Sequence, residues 1–562
     1  MMLAAGLTSC NDYLDKLPDD RAEVNTEQKV RDLLVSAYPE TTPNLLLELT
    51  SDNVDDNGKA YGTTILMEEL YRFKEPTDDS FDSPRFVWND FYGRIATANV
   101  ALESIENLGN PASLAESKAE AQMVRAYCMF TLANTFCMAY NPEKADQYLG
   151  LPYPKKSGVL MNERGTLRQL YENIEQDISE ALPNIGDNYS VPKYHFNTKA
   201  AYAFAARFYL YYMKYDKAIE YANRVLGSNP ANMMRDYKQF LNFGVEDIWN
   251  KYVQASESCN LLLSPAASVI ARYLGLYSTS NRFRHNSAMA SYETYWVNMP
   301  WGSGSTNNAI YYSHMLYGSN QLVYFPTINE FFEYSDKVAG IGVPHIVDPV
   351  FTAEQTLLVR AEANALTKNY QKAIDDLNVW VKSHCDDGSL YGTLPPTLTE
   401  TSINEFINGT VDAEGKRTGS IDYAPANPEG NRDRTMRKRF NPQGFTVEMN
   451  PIPEVDPTSE EEPEFVLGTT QENILEFVLH MRRLETISHG IRLQDLKRYG
   501  IEFTHKLSGE DPITITAGDI RLAIQIPADV ISAGMEGNPR PSETLTTDAS
   551  AAKITTKMNS ND

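Results

Sequence analysis

The chain has 562 residues, with Lys+Arg 50 against Asp+Glu 75 and a formal net charge of -25. That sign argues against nucleic acid, whose affinity comes from neutralising phosphates, and fits a solvated, acidic surface. The 33 tyrosines and 22 phenylalanines supply stacking faces, those of tyrosine with polar tips, which suit sugar or peptide recognition and also helix packing.

The first ten residues, MMLAAGLTSC, form a short apolar run ending in Leu7-Thr8-Ser9-Cys10. This resembles a bacterial lipoprotein signal, in which small residues admit the peptidase and the Cys10 thiol carries the lipid. The basic start of a secretory signal is missing. The polar, acidic NDYLDKLPDDRAE that follows reads as a tether, and no later segment is long and apolar enough to span a membrane. A first helix and its exit are expected over 26–49. The loop LTSDNVDDNGKAYG then concentrates Asp, Asn and Gly. Asn53, Asp55, Asn57 and Gly58 nearly match the start of a calcium loop, but Thr64 stands where a bidentate Glu is needed. A polar turn or a ligand-contacting loop is expected there instead, and no bound metal or cofactor.

From Ser83 the signals are helical. Ser83-Pro84 is an N-cap followed by Pro at the first helical position. Two S/T-x-x-E/Q patterns, SLAE at 113–116 and TLRQ at 166–169, predict capping boxes. Cys128 and Cys137 fall on one expected helix, about 13 Å apart along its axis, too far for a disulfide. Without zinc spacing, they read with Cys259 and Cys385 as free, buried thiols.

Residues 202–230, YAFAARFYLYYMKYDKAIEYANRVLGSNP, predict two antiparallel helices meeting at Lys214-Tyr215, with small Ala206 and Ala218 where the helices approach. The second helix resembles that of a tetratricopeptide repeat. A second copy, LLVRAEANALTKNYQKAIDDLNVW at 357–380, places Ala361, Tyr370, Ala373 and Leu377 where Ala206, Tyr215, Ala218 and Ala222 fall. Each repeat of roughly 34 residues needs neighbours to bury its face. The wide separation of the copies predicts a scaffold interrupted by insertions rather than a tandem solenoid.

Between them, over about 231–350, helical period fades and aromatics interleave with Ser, Asn and Gly. Such a stretch reads as a poor core and a good recognition surface. GSGS at 302–305 follows no expected strand and opens no helix, so it is not a phosphate loop. His285, His314 and His345 lack metal spacing. A Pro/Gly/charge-rich insertion over 386–470, including SEEEPE at 459–464, is too long to be a plain connection.

Gln471–Gly500 reads QENILEFVLHMRRLETISHGIRLQDLKRYG. This resembles the C-terminal signature of SusD-like (RagB/SusD) nutrient-binding outer-membrane lipoproteins of the Bacteroidota. The matching residues are Arg482-Arg483, Glu485, Gly490, Arg492, Asp495-Leu496 and Arg498; Met481 and His489 depart from it. Other blocks agree in order: CNDYLDKLP, WNDFYGRIATAN, KAEAQMVRAYCMFTLANTF, LYENIEQDISEALPNI, both repeats and IQIPADV. Arg482, Glu485, Arg492, Asp495 and Arg498 alternate in sign at near-helical intervals, which suits a structural ion-pair network.

The resemblance implies a mainly α, SusD-like fold: a tetratricopeptide-like helix-pair scaffold with a long irregular ligand-binding insertion. Residues 1–10 would be the residual signal. Residues 11–562 would be one domain, with its scaffold at about 26–230, 352–385 and 472–500. It further implies a lipid-anchored, cell-surface protein of the outer membrane, paired with a SusC-like TonB-dependent transporter that receives oligosaccharide or, in some members, peptide. A surface glycoside hydrolase is the competing expectation. It needs two carboxylates across a cleft, and the adjacent pairs Asp55-Asp56, Asp78-Asp79 and Asp386-Asp387 do not provide them, so no catalysis is expected. A sugar takes an aromatic face and polar partners. The expected ligand-binding residues are therefore Tyr292, Tyr295, Trp296 and Trp301, with Asp52, Asn53 and Asn57 from the early loop.

Overall fold

The computed structural model describes residues 24–158, 163–276, 281–304, 307–389, 395–411, 417–418, 439–451 and 466–541. Cys10 and most of the 386–470 insertion, with SEEEPE, lie outside them. The first half is built from α1 (Glu27–Val35), α2 (Asn44–Leu49), α3 (Ile65–Tyr71), α4 (Pro84–Asn107), α5 (Ala115–Phe136), α6 (Leu167–Ala181), α7 (Thr198–Tyr211) and α8 (Tyr215–Leu226). Then follow α9 (Val245–Tyr252), α10 (Ile270–Leu274), α11 (Ser287–Tyr292), α12 (Ala353–Leu366), α13 (Tyr370–His384), α14 (Glu400–Asn408), α15 (Thr470–Thr486) and α16 (Arg492–Tyr499).

Local chemistry sets most helix starts. The Ser83 side chain accepts from the Phe86 N–H, with Pro84 in the first turn of α4. Thr166 and Gln169 form a reciprocal capping box on α6. SLAE does not. Pro111 opens a 3-10 turn whose carbonyl accepts from the Leu114 N–H, α5 begins only at Ala115 without a side-chain cap, and the Ser113 hydroxyl donates to Glu27 instead.

Helices α7/α8 and α12/α13 are the two repeat hairpins. Ala206, Ala218, Ala361 and Ala373 are all fully buried. Both hairpins turn through a left-handed residue at the same place in the repeat, Met213 with φ 61° and Lys368 with φ 61°. The insertion separates them in sequence only. Helix α12 packs directly on α8, and Arg360 bridges Asn223 on α8 and Asp376 on α13. Helices α4, α5 and α6 continue the stack before α7. The four described cysteines are buried and free.

The irregular segment does not have the poor core expected of it. Strand Asn260–Ala267 pairs antiparallel with Ile341–Thr352, which pairs in turn with Phe331–Asp336. Beside this sheet, aromatic side chains close a second core. Tyr312 lies 4.6 Å from Phe325, 5.1 Å from Tyr237 and 5.6 Å from Tyr295, centroid to centroid. Large rings fill the space between irregular backbone segments where no regular period could.

Helices α15 and α16 tie these parts together through buried charge. Arg482 holds Asp495 in two bonds of 2.9 Å and lies 3.6 Å from Glu362 of α12. Arg498 pairs with the same two carboxylates. Arg483 reaches Glu293 of the insertion at 3.1 Å, and Arg492 holds Asp52 at 2.7 and 2.8 Å. Glu485 accepts from the Tyr312 hydroxyl at 2.8 Å and pairs with His384 of α13. Burial pushes Glu485 up, but His384 and Tyr312 hold it below the usual carboxylate range. The network expected along one helix thus runs mainly between elements; only Asp495 and Arg498 use the i,i+3 spacing. Gly490 has φ 67° and sits so close to α2 that a Cβ would lie 3.0 Å from the Asn44 side chain.

Candidate ligand-binding face

The early loop and the insertion meet. Asp55-Asp56 pairs antiparallel with Phe283-Arg284, placing Asp55 opposite Arg284 and Asp56 opposite Phe283. The Asn57 N–H donates to the Arg282 carbonyl at 2.9 Å. Arg282 grips the Asp56 carboxylate with two nitrogens, at 2.7 and 2.5 Å. Burial works against that carboxylate, but Arg282 and the N–H groups of Ser508 and Gly58 more than offset it and keep its pKa low. Beneath the junction, Tyr71 stacks between Phe283 at 4.2 Å and His505 at 4.1 Å.

Amide side chains lace the junction. Asn286 accepts from the Met289 N–H as the N-cap of α11. Its own amide donates to Asp55 at 3.1 Å and to Asn57 at 3.2 Å. The Asn57 amide donates to the Gln321 carbonyl at 2.9 Å, and the Ser287 N–H donates to the Asn320 carbonyl at 3.0 Å. Three stretches far apart in sequence, 55–62, 281–292 and 317–321, are thus held in one place. Asn57, Tyr61, Tyr292, Trp296, Tyr317 and Gln321 are half-buried.

The expected site residues divide. Asn57 lies at the junction, and Tyr292 and Trp296 keep part of their surface in solvent. Four others are core residues. Asp52 is 7% exposed and is taken by Arg492, and Asn53 is 1% exposed and held between Arg483 and Glu48. Tyr295 is 3% exposed in the aromatic core, and Trp301 is 4% exposed, packed 5.8 Å from Trp380 of α13. For these four the physical reason is the same: each is buried against protein partners, whereas Asn57, though bonded to Asn286 and Gln321, is only half-buried. Thr64, which stands where a calcium loop would need a Glu, caps α3: its hydroxyl accepts from the Met67 N–H.

Asn286, Gln321, Tyr61 and Tyr317 were missed. Asn286 had a usable signal, an Asn-Ser step before a short helix. Gln321 contributes through its backbone carbonyl, for which no side-chain pattern exists. The three stretches together carry amides, carboxylates and half-buried aromatic residues, the residue types that a hydroxyl-rich neutral ligand requires.

Residues 12–210 match a SusD-like family model, described as "Starch-binding associating with outer membrane". No curated protein matches the sequence. Among solved structures, the chain is similar to a putative sugar binding protein from Bacteroides vulgatus ATCC 8482, at 16% identity and TM-score 0.61, covering 92% of this chain and 99% of that one. It is similar to a SusD superfamily protein from Bacteroides thetaiotaomicron VPI-5482, at 18% identity and TM-score 0.55, covering 91% and 98%. A laminarin binding SusD-like protein aligns at 15% identity and TM-score 0.52, covering 92% and 100%.

Proposed function

We propose, for a chain that is SusD-like in its fold and in its sequence match over residues 12–210, that it is a nutrient-binding lipoprotein of the cell surface. In this reading Cys10 carries the lipid, the outer membrane is the anchor, and the protein captures an oligosaccharide and hands it to a SusC-like TonB-dependent transporter. The observation that carries it is the junction: an early loop locked to the insertion by strand pairing and by the Asn286–Asn57–Gln321 bonds. That arrangement supports a preformed ligand face on a rigid scaffold. Within it, Asn57 supplies the polar contact and Tyr292 and Trp296 the stacking faces. Asp52, Asn53, Tyr295 and Trp301 hold these residues in place from behind.

The protein acts by binding, and the ligand leaves as it arrived. An array of oligosaccharides and peptides, followed by calorimetry, tests this. A glycan hit weakened about tenfold or more by Asn57→Ala or Trp296→Ala, with the melting temperature held, supports the reading. Binding of peptides alone would replace the ligand class. Cleavage of the bound glycan that is lost in a carboxylate variant would replace the function.

A further inference from the structure

A surface cavity of about 280 Å³ opens at a corner of the scaffold, where the end of α4, the start of α5 and the end of α6 come together. Its floor is apolar. Ile105 and Leu114 are buried there, and alanines 115 and 119 on α5 are small enough to leave the space open. Its walls are polar. The Lys118 ammonium donates to Asn110 at 2.9 Å, and the Gln122 amide donates to Glu180 at 2.8 Å.

Each of these pairs uses only part of its bonding capacity. Asn110 keeps its amide donors and Lys118 two ammonium protons, while Gln122 keeps a carbonyl, and Glu180, whose other oxygen accepts from Gln176, keeps one lone pair on each oxygen. Donors and acceptors therefore face one space. A hydroxyl group, which both donates and accepts, satisfies such a lining. An anion meets Glu180 and a cation meets Lys118. The volume sits just below the roughly 300–1,000 Å³ of drug-sized pockets, which fits one ring and not a chain.

We infer that this cavity is a second binding site, for a single neutral sugar ring or polyol, carried by the scaffold. It goes beyond the capture face proposed above, none of whose residues lines it. No aromatic residue lines it either, so binding rests on hydrogen bonds over an apolar floor and is weak, with Kd on the order of 1 mM.

Saturation-transfer NMR on the full chain tests it, with glucose, galactose, mannose, N-acetylglucosamine and glycerol as separate probes. At least one should receive saturation, and the transfer should fall fivefold or more in Ala119→Leu, which fills the space. Ala119 is buried, so that variant can fail to fold. The pair Asn110→Gly and Lys118→Ala covers this case: both positions are exposed, and glycine suits the left-handed φ of 52° at Asn110. This pair should lose the transfer, keep the melting temperature, and leave oligosaccharide capture at the other face unchanged. Absence of transfer from all five probes overturns the inference, as does transfer that the rim pair leaves intact.

Discussion

Trp296 and Trp301 are five positions apart and face different surroundings. Trp301 packs against Trp380 and is buried, whereas Trp296 is only half-buried. Trp301→Ala should cost about 3–5 kcal/mol of stability, as large-to-small changes in a core do, and chemical denaturation will read it. Trp296→Ala should cost clearly less. Equal losses would return both to the core. Composition could not separate the two, because the partner that decides, Trp380, lies on a helix beyond the insertion. Asp52 teaches the same lesson. A short acid in a polar loop reads as a ligand contact, yet its partner Arg492 comes from near the end of the chain. Asp52→Ala leaves that guanidinium buried without its carboxylate and should cost about 3–5 kcal/mol; a loss under 1 kcal/mol in urea unfolding would contradict this. Asp82 adds a pH dependence. It is buried, has φ 62°, and accepts from the Ser268 hydroxyl and the Val269 N–H, each at 2.7 Å. Burial pushes its carboxyl up to about 7, against both hydrogen bonds. An unfolded Asp titrates near ~3.9, so between about 4 and 7 the folded chain holds a proton that the unfolded chain has lost. Stability from this group is therefore greatest below pH 4 and falls as pH rises through 7, by up to about 4 kcal/mol. Urea unfolding across that range should show the decline, and Asp82→Asn should flatten it. An unchanged slope in the variant rules the group out.

At the scale of elements, the hairpins were legible because their signals are local: small residues at close approach, apolar residues three or four apart, and a short turn between. Ala206→Leu or Ala361→Leu should overpack a closed contact and cost about 1–3 kcal/mol, read as a lower melting temperature, while glycan affinity of the folded protein stays the same. Affinity lost at constant melting would mean that scaffold and site had been exchanged. The stacking of α12 on α8 was not legible, since an element's neighbour can lie far along the chain. SLAE shows the opposite failure. The pattern is present, but Pro111 starts a 3-10 turn ahead of it, α5 begins only at Ala115, and the Ser113 hydroxyl donates to Glu27 instead of capping the helix. The insertion misled for a third reason. Lack of period was read as surface, whereas a core can be built from rings on irregular backbone when a few strands and one helix pair brace it.

For the molecule as a whole, the solved structures it resembles share its fold, a SusD-like one, and residues 12–210 match a SusD-like family model. The proposed capture face was legible only as two regions of suggestive composition; the meeting of those regions is a tertiary fact. Anchoring rests on one atom in the proposed function. No described helix is long and apolar enough to cross a membrane, and Cys10, proposed to carry the lipid, immediately precedes the polar stretch read as a tether. Growth of the native host on a fatty-acid analogue should tag the protein, and Cys10→Ala should abolish the tag and release the chain from the membrane fraction. Label that persists in the variant would remove the anchor from this position.

The charge network of α15 and α16 also bears on the order in which the protein can come into being. Synthesis delivers the chain from its first residue, so Glu48 and Asp52 emerge long before Gly490 and Arg492, the groups that bond them in the finished core. Glu362 and Glu293 likewise wait for Arg498 and Arg483. Until Arg483, Arg492 and Arg498 arrive, Glu293, Asp52 and Glu362 cannot be buried without an uncompensated charge. A chain interrupted before residue 482 has both hairpins complete in sequence but lacks the arginines that pair with Asp52, Glu293 and Glu362. Closure of this part of the core therefore waits on α15 and α16, which are made late, and a chain that stops short of them keeps these carboxylates in water.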